Sequence, residues 1–506
     1  MAFHFSARSG AIGALLLAAG CMAGESTGGS PELAAGSGSG GGSGTGASKL
    51  VSVTNLTSDQ SGNAASVDSS LVNAWGIVAY QGWFWVTDNA TGKLSILDGA
   101  GHMAGAQQGG TGTGGGTGTG GGSGSGQSGQ GSGSGQSGMG QGSGSGQGMG
   151  ILNVASDSMD LGEGITGIAI NDSTAMQMDG TGPNAQVCGP ANLIVASEKG
   201  QLIGVNTSLN ATGGQVLVDR SSVGASYTGV AVLDVKAGAT CSATGGGCDT
   251  TGMGNGSGSG TGNGQGMGSG SGTGNGQGMG SGSGSAGAGT GNGNGGTGNV
   301  PQPGVLVLAA DFHNARIDVF DEKFSLVMTP MFSMPAGIPA GFAPFNVAVI
   351  NGIVYVTYAQ QNPEKTDSVA GAGLGFVAAF DVCGNMLWTA KGDQLDAPWG
   401  MALGGDLSLA PGVLLVGNFG DGHITELNPK DGTIIDQLMT ADGMPLVIDG
   451  LWGLAIGTAS GVQSAQPGGV YFVSGPQDEA HGVFGVLTPA AVTMPGPGSG
   501  SGSSGM

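Results

Sequence analysis

This chain is short of positive charge and of aromatic residues. Eleven Lys and Arg face 33 Asp and Glu, a formal net charge of −22, and aromatics make up 5% of the 506 residues. Proteins that grip nucleic acid or an anionic lipid surface neutralise phosphates with Lys and Arg, so no nucleic acid is expected as a partner. After the first twenty or so positions no run is long and apolar enough to cross a bilayer, so a membrane would be met only through an anchor. No segment shows the 3.6-residue period of a long helix. The strings H-E-x-x-H, C-x-x-C and D-x-D-x-D-G are all missing. That removes the usual signals of a zinc protease, a dithiol centre and an EF-hand. The acidic balance suits divalent cations or cationic partners, and equally a plain need for solubility.

What the chain has in excess is glycine, 115 residues of it. Segments 24–48, 105–150, 238–300 and 494–506 are almost wholly Gly, Ser, Thr, Gln, Asn and Ala. They lack the apolar side chains that would offset ordering costs of roughly 1–2 kcal/mol per residue, and are expected to be disordered. About 330 residues remain, enough for one large domain or two ordinary ones.

The opening string "MAFHFSARSGAIGALLLAAGCMAG" sets Arg8 before an apolar run that ends in Ala19-Gly20-Cys21. This is a short signal peptide, and the small residues before Cys21 resemble a bacterial lipobox, in which the Cys thiol is acylated. The expectation is a signal peptide over 1–21, a lipid on Cys21, and a flexible Gly/Ser tether over 22–48. The protein would then sit in a bacterial cell envelope as an anchored lipoprotein, or be extracellular or periplasmic. Cys188, Cys241, Cys248 and Cys383 remain, with three ways to pair. Cys241 and Cys248 lie close together in one Gly-rich loop, which favours their disulfide; a metal site or free thiols are the alternatives.

Without the glycine tracts a repeat emerges. "AWGIVAYQGWFWVTDNATGKLSILDG" at 74–99 sets the pattern: a small or aromatic residue and Gly, an apolar run, a second strand ending in a polar residue, a turn, and an alternating strand. Versions of it recur at 166–206, 228–321, 344–384, 398–432 and 451–487. Outer strands are expected from "ILNVAS" at 151, "QVLVDR" at 215, "LVMTPM" at 326, "MLWTAK" at 386 and "IIDQLM" at 434. The sixth unit runs out of chain, and "VSVTNLT" at 51–57 has no partner of its own. The reading is an all-β, six-bladed β-propeller over 49–490, closed by its N-terminal strand. Low-complexity insertions fall at 105–150 and 238–302, and a disordered tail at 491–506. The loop "GNFGDG" at 417–422 is then a hairpin turn, with Gly and Asn expected at positive φ.

In such a ring the loops between strands two and three and from blade to blade share one face, here the top. Every low-complexity insertion and all four later cysteines fall on the other, the bottom. The top gathers Asp88, Asn89, Glu198, Asp311, His313, Gln360, Asn418, Asp421, Asp478, Glu479 and His481 at hairpin ends. Trp75, Phe345, Trp399 and Trp452 begin inner strands beside the channel. Asp and Asn at hairpin ends serve turns, and Trp-Gly serves blade packing. Convergence on one channel mouth gives the functional alternative. There the hairpin-end residues and the four aromatics would bind a ligand, and Glu198, Asn418 and Asp478 could offer oxygens to Ca²⁺.

The strings "LVNAWGI", "GFAPFNVAVINGIVYVTYAQQNPEKTDSVAGAGLGFV", "DAPWGMAL" and "YFVSGPQDEAHGVFG" resemble a family of exported bacterial propellers of no established activity, many with PEP-CTERM tails. The architecture is more distantly similar to NHL-type and SMP-30-like propellers, whose metal sits at the channel mouth. The resemblance implies fold and export, and no catalytic residues. The expected function is a monomeric envelope binding or scaffold module meeting a protein, glycan or small molecule with its top face. A metal-dependent lactonase or esterase, or a purely structural surface component, are the alternatives.

Overall fold

Each repeat folds into an antiparallel sheet, and six sheets form a β-propeller. The computed structural model describes residues 50–104, 158–181, 187–235, 304–328, 331–404, 412–457 and 461–490. The signal peptide, Cys21, the tether, Cys241, Cys248, the two large insertions and the tail lie outside the described residues. Blade 1 takes Ala74–Tyr80, Trp83–Asp88, Lys93–Leu97 and Ser158–Asp160 from the axis outwards. Blades 2, 4 and 5 repeat that order from inner strands Ile165–Ile170, Phe342–Ile350 and Pro398–Leu403. Blade 6 has Leu451–Ile456, Val470–Ser474 and Val483–Pro489, and its fourth strand is Leu50–Ser58 from the other end of the chain. Val53 pairs with Leu487 and Thr54 with Val486, as the orphan first strand implies. The inner strands pack in a cycle, and that of blade 6 returns to that of blade 1.

Two outer strands depart from expectation. In blade 1 the fourth strand is Ser158–Asp160; residues 151–157 lie outside the described set. Blade 3 has three strands among the described residues, Tyr227–Val235, Gly304–Asp311 and Arg316–Phe320. Its expected outer strand at Leu326 makes a single bridge, Phe320 to Leu326. Pro330, Pro335 and Pro339 follow, and proline has no N–H to extend a ladder.

A shared device shapes the centre. Every inner strand slips register against its neighbour near its top end, leaving an extra residue there: Trp75, Thr166, Thr228, Phe345, Trp399 and Trp452 lie at these bulges. A bulge bends the strand and re-aims a side chain. The next position is Gly76, Gly167, Gly229, Gly400 or Gly453, and in blade 4 Asn346. A Cβ on Gly400 would sit 2.3 Å from the Trp452 carbonyl oxygen, and one on Gly453 2.6 Å from that of Trp75. Glycine is required because neighbouring backbones meet there. Asn346 meets the same need differently, donating from Nδ2 to the Trp399 carbonyl at 2.9 Å. Aliphatic residues follow in every blade, so the apolar run forms both the wedge between blades and the wall of the channel.

Candidate functional site

The top of the channel is closed. The aromatic residues at the bulges turn inward and stack: Trp75 and Trp452 ring centroids are 3.7 Å apart, and Phe419 lies 4.0 Å from Trp452 on a nearly parallel plane. Trp399 meets Trp452 edge-on at 5.6 Å, and Phe345 stands 5.7 Å away. All four expected aromatics are therefore buried in one plug, rather than lining an open mouth. The indole N–H groups of Trp75 and Trp452 both donate to Asn73 Oδ1, at 2.9 and 3.2 Å, and that of Trp399 donates to the Thr228 carbonyl at 3.1 Å. Such anchored donors hold the rings in one arrangement.

Above the plug a polar relay crosses to blade 2. Asn73, itself at φ 53°, donates to Asn89 Oδ1 at 3.4 Å, and Asn89 Nδ2 donates to Glu198 Oε2 at 3.1 Å. Glu198 keeps partial access to solvent, yet burial pushes its carboxyl up from the usual range and the nearby Asp367 adds to the effect. Blades 2 and 3 carry Thr166 and Thr228 at their bulges where the other four carry Trp or Phe. Their hydroxyls donate to the Tyr227 and Phe345 carbonyls of the next blade, each at 2.7 Å.

Other expected top residues serve their turns. Asp311 is fully buried and accepts from the Ser226 and Asn314 backbone N–H groups and from Asn314 Nδ2. His313 Nδ1 lies 3.2 Å from the Lys365 carbonyl, and the backbone oxygen of Gln360 accepts from Val369. In the "GNFGDG" turn only Gly422 has positive φ; Asn418 does not. Asn418 instead donates to the Gln394 carbonyl and to Asp421 Oδ1, and Asp421 Oδ2 lies 2.9 Å from His423 Nδ1. Asp478 is exposed and Glu479 half-buried, and with Gln477 they form three successive left-handed residues. His481 Nδ1 lies 2.7 Å from Asp59 Oδ2, tying the hairpin of blade 6 to the end of the closing strand. Glu198, Asn418 and Asp478 stand on three different blades, Glu198 bonded to Asn89 and Asn418 to Gln394 and Asp421. Among the described residues no three His, Cys, Asp or Glu side chains gather to hold a metal.

Asp88 was legible as a hairpin-end residue, but its partners were not. Ser95 Oγ lies 2.7 Å from Asp88 Oδ2 and 2.9 Å from Asp68 Oδ2. A hydroxyl has one hydrogen, so it satisfies one carboxylate; the other contact needs a proton on a carboxyl. Asp88 is fully buried, its Oδ1 has no partner, and burial followed by the Asp68 charge raises its carboxyl well above the usual range. A raised folded-state value means that the native protein holds the extra proton, so this contribution to stability is full below about pH 4 and is lost as pH rises. The isosteric Asp88→Asn variant should gain melting temperature over wild type as pH rises from 4 towards 8. Parallel melting curves across that range would contradict the shared proton.

Asn73, Asp59, Asp68, Ser95 and His423 were missed, since each acts through a partner distant in sequence or through a hydrogen-bond geometry that composition does not reveal. Of the cysteines, Cys188 is free and exposed and Cys383 is disulfide-bonded.

Beneath the plug lies a cavity of about 990 Å³ along the axis. Its wall is formed by the aliphatic runs of the six inner strands, and it reaches the bottom face at Asp172 and Asn351, both exposed. The large cavity and the titratable rim thus lie on opposite sides of the aromatic plug.

No family model matches the chain. Three uncharacterised proteins of Acanthamoeba polyphaga mimivirus are similar over part of it. One is 35% identical over 153 residues, covering 29% of this chain and 40% of that protein; another is 31% identical over 159 residues, covering 30% and 39%. The match thus spans less than half the length of these relatives. They lend no support to kinship with exported bacterial propellers bearing PEP-CTERM tails. Among solved structures, a streptogramin B lyase aligns at 8% identity and TM-score 0.36 over 87% of this chain and 98% of that one. Virginiamycin B lyase from Staphylococcus aureus aligns at 7% identity and TM-score 0.36 over the same shares. Kuenenia stuttgartiensis hydrazine synthase aligns at 8% and 0.33, over 84% and 98%. Scores this low say nothing about what the chain does.

Proposed function

We propose that this propeller is a binding module of the cell envelope, held at the membrane through Cys21, that docks a partner with its top face. One observation carries the reading: the inserted segments leave and rejoin the described structure at the bottom face. Residues 105–157 join strands three and four of blade 1, and residues 236–303 join strands one and two of blade 3. The breaks at 182–186, 405–411 and 458–460 also fall between first and second strands. The top-face loops between second and third strands are continuous in the described structure, and the long one at 361–374 is tied down by Val369 N–H donating to the Gln360 carbonyl and Asn362 N–H to that of Asp367; the plug gives this face a floor.

A photo-crosslinking residue at Asp478, Ile435 or Asp172 samples the top, an outer strand and the bottom in cells that make the protein. Adducts should concentrate at position 478. Adducts confined to 435 and 172 would overturn top-face docking. Separately, Cys21→Ser should move the protein from the membrane to the soluble fraction, and unchanged fractionation would refute the anchor.

A further inference from the structure

We propose that the channel beneath the aromatic plug is a second binding site, independent of the top face, for a single-chain amphiphile with a cationic head. Its volume of about 990 Å³ stands at the top of the roughly 300–1,000 Å³ typical of small-molecule sites. The plug makes it a blind pocket with one entrance, since each indole that closes it is held by a hydrogen bond.

The wall supplies the tail's chemistry. Along the inner strands the third residue past the bulge is Ala169, Ala231, Ala348, Ala402 or Ala455 in five blades and Val78 in blade 1. Small side chains there widen the shaft. The fourth is Ala79, Ile170, Val232, Val349, Leu403 or Ile456, and all six are only half-buried. A sixfold ring of half-buried aliphatics inside a protein is apolar surface left for something to cover. Among the described residues the polar side chains lining the cavity are Asn346, Asn351 and Asp172, beside the Trp399 indole, whose N–H is already given to the Thr228 carbonyl. Asn346 already donates to Trp399 and accepts from the Val347 N–H, so it asks nothing of a ligand.

The entrance supplies the head's chemistry. Asp172 is the one ionisable side chain among the described residues lining the cavity, and it is exposed at the mouth, with Asn351 also there. No Lys, Arg or His joins it among the described lining residues, and the chain carries −22 overall. An ammonium head at the mouth meets attraction, whereas a sulfate or carboxylate meets repulsion.

The test uses three chain-matched probes below their micelle concentrations: decyltrimethylammonium, decanol and decyl sulfate. Binding to the full-length protein is followed by calorimetry and by melting temperature. The cationic probe should bind saturably with one site and raise the melting temperature, decanol should bind more weakly, and decyl sulfate weakest. Ala79→Phe and Ala348→Phe, each filling the shaft from a different blade, should weaken the cationic probe by about tenfold or more. Asp172→Asn should cost a few-fold for the cationic probe and nothing for decanol, since one pair in water contributes about 1 kcal/mol at 4 Å. Near-ultraviolet circular dichroism confirms that each variant is folded; if one filler fails to fold, the other carries the test. Equal binding by wild type and a folded filler would place the probe on the outer surface and overturn the proposal. So would no saturable binding of the cationic probe, or decyl sulfate binding as tightly as its cationic counterpart.

Discussion

A chain begun at Asp59 should lose cooperative folding, whereas one begun at residue 49 should melt like the full-length protein. The difference between them is the strand Leu50–Ser58, which supplies the fourth strand of blade 6. Its loss removes Val51 and Leu56 from the core and strips the cover from Val486 and Leu487. Burial of each such side chain stabilises by about 1.5–3 kcal/mol, and the backbone hydrogen bonds along the pair are lost as well. Against a typical total of about 5–15 kcal/mol, that loss removes most of the margin. The Asp59–His481 pair would also go loose, because its anchoring strand is gone. Urea unfolding followed by tryptophan fluorescence is the measurement. A sharp transition at the wild-type midpoint for the shorter chain would show that blade 6 does not depend on the N-terminal strand.

Gly400→Ala should be the most damaging single methyl in the molecule's centre. The added carbon would stand 2.3 Å from the Trp452 backbone oxygen and 3.1 Å from Leu454 Cγ. Backbone cannot rotate away as a side chain can, so blades 5 and 6 would have to part. Overpacking of this kind costs about 1–3 kcal/mol and occasionally more; here it also disturbs the Trp452 stack, so the upper end is expected. Gly337→Ala is the matched control, because nothing lies within 4 Å of its added carbon. Equal melting temperatures for the two variants would mean that the inner strands do not meet at the glycine ring.

The ring itself was open to reading in the residues. Repeated Trp-Gly or Thr-Gly before an apolar run, and an unpaired "VSVTNLT" at the start, give blade number and closure because strand length and alternation are local properties. Blade 3 shows the limit of that reasoning: "LVMTPM" has strand composition, yet the prolines behind it leave only one bridge at Leu326. The site was less legible. Trp75 and Trp452 were placed correctly at the axis, but stacking at 3.7 Å turns a mouth into a plug. That outcome depends on six register slips, and a bulge leaves no mark in composition. Likewise Glu198, Asn418 and Asp478 are at hairpin ends of three different blades, and composition could not say what each one touches there. Asp88 read as turn chemistry proved to be half of a carboxyl pair, because Asp68 comes from the segment that follows the closing strand.

The closed ring is tested most directly by crosslinking its two ends. Ser52 and Thr488 are register partners across the final pair of strands, and neither is fully buried. With Cys188 replaced by serine, Ser52→Cys together with Thr488→Cys should oxidise spontaneously to a disulfide, identified as a linked peptide pair by mass spectrometry, and should raise the melting temperature. A folded double variant whose two thiols stay free under mild oxidant would mean that the first strand does not lie beside the last.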